Sequence, residues 1–181
     1  MNPTDNRDLE RFLTREQIQR RVTEMGADIS RDFAEQTIVL IGVLKGAAIF
    51  LADLARAITV DCTFDFVAVS SYGKSNRSSG AVRLLKDLDH PIEDRNVILV
   101  EDILDTGLTL DYLRDKLLLQ KPSMLKIATF LDKPSRRLRE IKADYVGFSM
   151  PDEFVIGYGM DHSERYRNLP DVCFMPTDAE E

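Results

Sequence analysis

A chain of 181 residues, 44% hydrophobic and 30% charged, is long enough for one sizeable core and has an ordinary globular composition. Its formal net charge of −7 argues against nonspecific affinity for nucleic acid or an anionic membrane surface. Two cysteines, Cys62 and Cys173, exclude a disulfide framework and lack metal-ligand spacing, so each is read as a small buried hydrophobe.

The polar opening residues are unlike a signal peptide, and no apolar run approaches the ~20 residues of a membrane span. A cytoplasmic protein is therefore expected. Thr14 and Gln17 have the form of a capping box, after which Ile18, Val22, Met25 and Ile29 recur at helical spacing. That amphipathic helix carries no chemistry. Residues 37–43 (TIVLIGV) read as a buried strand, followed by the turn Leu44-Lys45-Gly46 and a helix over 48–58. A strand, a tight glycine turn and a helix suit an anion site with Lys45 as its cation. The plain alternative for Lys45 is a solvated turn lysine.

Residues 60–70 alternate as a strand, with Cys62, Phe64, Phe66 and Ala68 on one side. The polar run 71–80, opening with Ser71 and Tyr72, buries too little to be held firmly. It is a hairpin loop or an active-site lid. Residues 81–88 then return as a strand.

At the centre, 96–111 reads NVILVEDILDTGLTLD. The apolar run 97–100 suits a parallel strand covered on both faces. It leads into Glu101 and Asp102, then Asp105, then Thr106-Gly107-Leu108-Thr109. A helix follows, marked by Leu108, Leu110, Leu113, Leu117 and Leu118 and ended by Lys121-Pro122. Outward-pointing N–H groups at a helix start favour an anion, and a glycine lets the chain approach it closely. With hydroxyls from Thr106 and Thr109 and acids close by, the layout suits a phosphate together with a cation-bound polyol.

Strands are expected next at 123–131, leading into Asp132-Lys133-Pro134, at 143–148, and at 154–158. Strands alternating with helices imply an α/β fold, a mostly parallel sheet with helices on both faces. No linker or repeat divides the chain, so residues 1–181 are read as one domain. Ligands in such sheets bind at the carboxyl ends of strands. Segments 44–47, 71–80, 101–109 and 132–133 each follow an expected strand, and together they make a site.

The run 97–109 resembles the phosphoribosyl-diphosphate (PRPP) motif of the type I phosphoribosyltransferases: four apolar residues, two acids, two apolar residues, then Asp-Thr-Gly-x-Thr. Similarity over roughly 37–175 narrows the resemblance to the hypoxanthine-guanine branch and its bacterial members. Leu44-Lys45-Gly46 is similar to that family's pyrophosphate loop, where the Leu–Lys peptide is often cis. Ser71-Tyr72-Gly73 resembles the start of its closing loop. The run from Asp132 through Lys133 to Arg137 is similar to its purine-reading segment, and residues 151–158 to its base-stacking segment. Asp161 and Arg167 match positions near the second metal and the pyrophosphate.

The resemblance implies the type I phosphoribosyltransferase fold, a twisted sheet flanked by helices with a small hood from about 1–14 and 150–181. It implies transfer of 5-phosphoribosyl from PRPP to hypoxanthine or guanine with Mg²⁺ as cofactor. Glu101 and Asp102 would hold the ribose hydroxyls and, with Asp161, the metal, while Thr106, Gly107, Leu108 and Thr109 cradle the 5-phosphate. Asp105 would take the purine N7 proton. Lys133 would donate to the 6-oxo group, Phe154 stack on the base, and Val155 and Asp161 complete the purine site. Its partners would be PRPP, hypoxanthine and guanine, with neither nucleic acid nor membrane, in a homo-dimer or homo-tetramer. Rival readings are a xanthine or pyrimidine transferase, an RNA-binding regulator on the same fold, and a plain nucleotide-binding module. The Lys133 and Phe154 segments favour 6-oxopurines, the negative charge counts against RNA, and the module leaves Lys45 and Asp105 without a task.

Overall fold

The computed structural model describes residues 9–71 and 82–175. Tyr72 and the rest of the expected lid lie outside the described residues, and Ser71 is placed only as the last residue of a strand. Six strands form the main sheet: β2 (Ile38–Leu44), β3 (Cys62–Ser71), β4 (Val82–Lys86), β5 (Asn96–Leu104), β6 (Met124–Asp132) and β7 (Tyr145–Ser149). Their order is β4-β3-β2-β5-β6-β7, parallel throughout except for the antiparallel edge strand β4. The mostly parallel α/β sheet expected from the alternation of elements is the fold observed.

Helix α1 (Arg15–Asp32) starts at the capping box: Gln17 N–H donates to Thr14 Oγ1, and Thr14 N–H donates to Gln17 Oε1 at 2.8 Å. Ile18, Val22, Met25 and Ile29 are buried, as their spacing demands. With α2 (Ala48–Ala57), this helix covers one face of the sheet, meeting Ile38, Leu40, Ile98, Val100 and Phe130. Helix α3 (Leu108–Leu118) covers the other, where Leu110, Leu113 and Leu117 meet Val39, Ile41, Val97 and Leu99. Successive residues of β2 and β5 thus enter opposite cores, which explains their unbroken apolar runs. On α1, Arg21 donates to the carbonyls of Val146 and Gly147, occupying polar groups of the edge strand β7.

Three expectations need correction. Strand β5 continues through the acids to Leu104, because its pairing with β6 persists from Glu101↔Thr129 to Leu104↔Asp132. On β3, Cys62 and Phe66 only border the α1/α2 core and Phe64 is 59% exposed, while Val67 on the opposite face is buried. Helices α1 and α2 stop short of the sheet's β3–β4 side, whereas α3 reaches it on the opposite face. The strand expected at 154–158 shrinks to β8 (Val155–Ile156), since the chain turns at Gly157 and Tyr158, both at positive φ.

Strand β8 joins β1 (Arg11–Leu13) and β9 (Val172–Phe174) in a separate antiparallel sheet of order β1-β9-β8. Three-residue strands show no readable period, so β1 and β9 have no signature in the sequence. Among the described residues no helix is long and apolar enough to cross a membrane.

Candidate active site

The carboxyl ends of β2, β5 and β6 lie side by side, so the segments after them share one edge of the sheet. At the end of β5, Glu101 is 8% exposed, and its Oε2 is buried without a hydrogen-bond partner. Burial raises the Glu101 pKa well above the usual carboxylate range, and the neighbouring Asp102 charge raises it further. Asp102 is raised too, again chiefly by burial. Two adjacent acids, one of them buried, favour a cationic partner at this end of the strand.

Across the gap to β2 the chain comes very close. The Leu44–Lys45 peptide is cis. A Cβ added to Gly46 would lie 1.6 Å from Asp102 Oδ2, so only glycine fits against that carboxylate. Below the acids, Gly107 sits at φ 83° as the N-cap of α3 and itself offers no side chain to cap the helix. The Leu108 N–H donates to Thr106 Oγ1 at 3.5 Å, and the helix start adjoins a cavity of about 270 Å³ lined by residues 101–107 with Thr109 and Leu110.

A second cavity of about 270 Å³ shares Asp102, Ile103 and Asp105 with the first and adds Lys133, Arg136, Phe154, Val155, Met160 and Asp161. Asp105 Oδ1 is covered yet accepts no hydrogen bond, with Arg136 Nε 3.5 Å away. Lys133 is 5% exposed, and its ammonium is 3.8 Å from the Asp152 carboxylate. A buried ammonium at that distance from its counter-ion has capacity for an acceptor. Phe154 stands edge-on to His162, ring centroids 5.7 Å apart, and stays half exposed. At the rim, Arg167 pairs with Asp161 at 2.7 Å and donates to the Gly159 carbonyl. Lys45 pairs with Glu164 at 3.0 Å. The arrangement has anion donors at one end, buried acids in the middle and a cation with an aromatic ring at the other.

The phosphoribosyl transferase domain model matches residues 8–163. The chain belongs to the phosphoribosyltransferase family. A hypoxanthine-guanine phosphoribosyltransferase of Bacillus subtilis is 50% identical over 164 residues, 90% of this chain and 91% of that protein. A solved hypoxanthine-guanine phosphoribosyltransferase of Bacillus anthracis superposes with TM-score 0.89 at 49% identity, covering 92% of this chain and 98% of the other. A hypoxanthine phosphoribosyltransferase of Staphylococcus aureus gives TM-score 0.94 at 43% identity, covering 100% and 99%.

In this phosphoribosyltransferase the residues singled out from the sequence around both cavities come together, apart from Ser71 and Tyr72, whose side chains are not described. The Asp161 carboxylate, expected among the metal ligands, is engaged by Arg167 and accepts the Glu164 N–H at the rim of the second cavity. Sequence reasoning gave Arg137 no role. Its guanidinium donates to the carbonyls of Leu104 and Asp105 and to the Asp132 carboxylate, tying the ends of β5 and β6 together just before Asp105 and Lys133. Nothing in residue spacing distinguishes it from its neighbour Arg136, which is 49% exposed.

Proposed function

We propose that this phosphoribosyltransferase transfers 5-phosphoribosyl from PRPP to hypoxanthine and guanine, yielding IMP or GMP and pyrophosphate. The observation that carries the reading is the buried Lys133 ammonium, which lines the same cavity as Asp105 and Phe154. A carbonyl acceptor at position 6 of a purine satisfies Lys133, whereas an amino group there leaves it unpaired. Phe154 stacks on the ring, the Val155 backbone meets its edge, and Asp105 takes the N7 proton. The short sheet β1-β9-β8, with the described residues from 150 to 175, forms the hood over the base.

PRPP lies with its 5-phosphate on the α3 N-terminus and the hydroxyls of Thr106 and Thr109. Glu101 and Asp102 hold the ribose 2- and 3-hydroxyls, and their charge favours the oxocarbenium-like sugar as the C1–pyrophosphate bond breaks. Their hard oxygens, including the unpartnered Glu101 Oε2, suit Mg²⁺, which takes one or two carboxylates and keeps several waters. When bound, that ion neutralises the departing pyrophosphate. Lys45 and Arg167 receive the same group, with Gly46 giving it room. Ser71 and Tyr72 open the segment that, by the family resemblance, would keep water from the sugar cation. The direct test is nucleotide formation: PRPP, Mg²⁺ and hypoxanthine should yield IMP, and guanine GMP. A folded protein yielding neither overturns the reading.

A further inference from the structure

The loop after Asp161 is folded for a purpose that holding Asp161 and Arg167 does not explain. Ser163 and Glu164 both lie at positive φ, 51° and 63°. The His162–Arg165 bridge and the Asp161 carboxylate, which accepts the Glu164 N–H at 2.8 Å, fix this conformation. Non-glycine residues adopt it only at some cost. The consequence is that Glu164 turns back toward the β2–α2 turn. Its Oε2 lies 3.0 Å from Lys45 Nζ and 3.5 Å from the Arg167 guanidinium, so one carboxylate oxygen bridges both cations. A Cβ on Gly159, just before this loop, would lie 2.2 Å from the Gly46 carbonyl, so the chain leading into the loop presses on the turn that carries Lys45. Arg167 Nε is buried with no partner, leaving a donor for a further anion.

We propose that Glu164 is a built-in competitor for the pyrophosphate group: its carboxylate occupies Lys45 and Arg167 in the free enzyme and is displaced when pyrophosphate, free or within PRPP, binds them. The inference rests on the proposed function, which assigns these two cations to the pyrophosphate. A bridging anion prevents two converging positive charges from repelling each other in the empty site. After the reaction it returns to them and helps expel the product anion. Both partners of the Lys45 pair are 66% exposed, so the contact is weak and exchangeable, as a competitor must be. The low pKa of Glu164, caused first by its bond to Lys45, keeps the group charged at neutral pH.

The test is calorimetric binding of inorganic pyrophosphate to the full chain, with and without Mg²⁺, for wild type, Glu164→Gln and Glu164→Asp. Gln keeps the size and removes the charge. It should tighten pyrophosphate binding about threefold or more, the scale of one exposed ion pair. It should also lower the KM for PRPP while leaving the KM for hypoxanthine unchanged. Glu164→Asp, a shorter acid, should fall between the two. A Lys45→Ala background should abolish most of the Gln effect. If Glu164→Gln binds pyrophosphate as wild type does or more weakly, the carboxylate only positions Lys45 and the inference fails alone. If neither form binds pyrophosphate, the assignment of the cations fails, and the inference with it.

Discussion

A carboxylic acid with almost no solvent and an unpartnered oxygen, as at Glu101, weakens the fold that contains it when it ionises. Its folded pKa lies well above the ordinary value, so the folded state binds more protons than the unfolded chain. The favourable contribution of the protonated group is therefore full below the ordinary carboxylate range and is lost as pH rises through the raised value. Glu101→Gln should remove that loss, raising stability near neutral pH by about 1–3 kcal/mol while turnover falls. Thermal unfolding at pH 5 and pH 8 reads it directly: wild type should weaken toward pH 8 more than the variant. Equal pH slopes would contradict the buried-charge account. At this scale the sequence was generous where chemistry and position coincide. Glu101, Asp102, Asp105 and Lys133 stand out because charged residues interrupt or end apolar runs. Arg137 and Glu164 were illegible for the same reason in reverse, since each acts through a contact made by tertiary folding.

The unit β5–loop–α3 shows how an element positions a ligand. The strand sets the acids, Gly107 turns the chain at φ 83°, and α3 begins at a glycine that offers no capping side chain of its own. Alanine at 107 would enter the left-handed region at about 1–2 kcal/mol and place its Cβ 2.7 Å from the Ile141 side chain. Gly107→Ala should raise the KM for PRPP about tenfold or more, the shift that disturbance corresponds to, with a smaller change in KM for hypoxanthine. Initial-rate kinetics varying each substrate checks this, and an unchanged PRPP KM would show that the turn is not the phosphate cradle. Elements with a long period were readable: α1 from its capping box and four core residues, β2 and β5 from unbroken apolar runs. Polar residues mark an end to β5 in the sequence, yet pairing with β6 prolongs the strand to Leu104. Along β3, alternation reveals sidedness but not how far a helix reaches to cover it.

For the whole molecule, the parallel sheet and the convergence of strand-end segments followed from the alternation of elements. The sheet β1-β9-β8 did not, because it pairs residues from opposite ends of the chain in strands too short for a pattern. Phe64 and Leu85, 59% and 63% exposed on neighbouring strands β3 and β4, leave apolar surface that a second copy could cover. We expect a dimer or tetramer by sedimentation equilibrium, and a monomer at micromolar concentration would contradict that expectation. The central claim is that one edge of the sheet joins a PRPP cradle to a 6-oxopurine reader. Pyrophosphate release dependent on PRPP and Mg²⁺ tests it most directly, measured with hypoxanthine, guanine, xanthine, adenine and uracil for wild type and Lys133→Ala. The account predicts turnover by wild type with hypoxanthine and guanine, little or none with adenine or uracil, and a collapse of the 6-oxo over 6-amino preference in the variant. Wild-type turnover with uracil alone, or a preference untouched by Lys133→Ala, would contradict it.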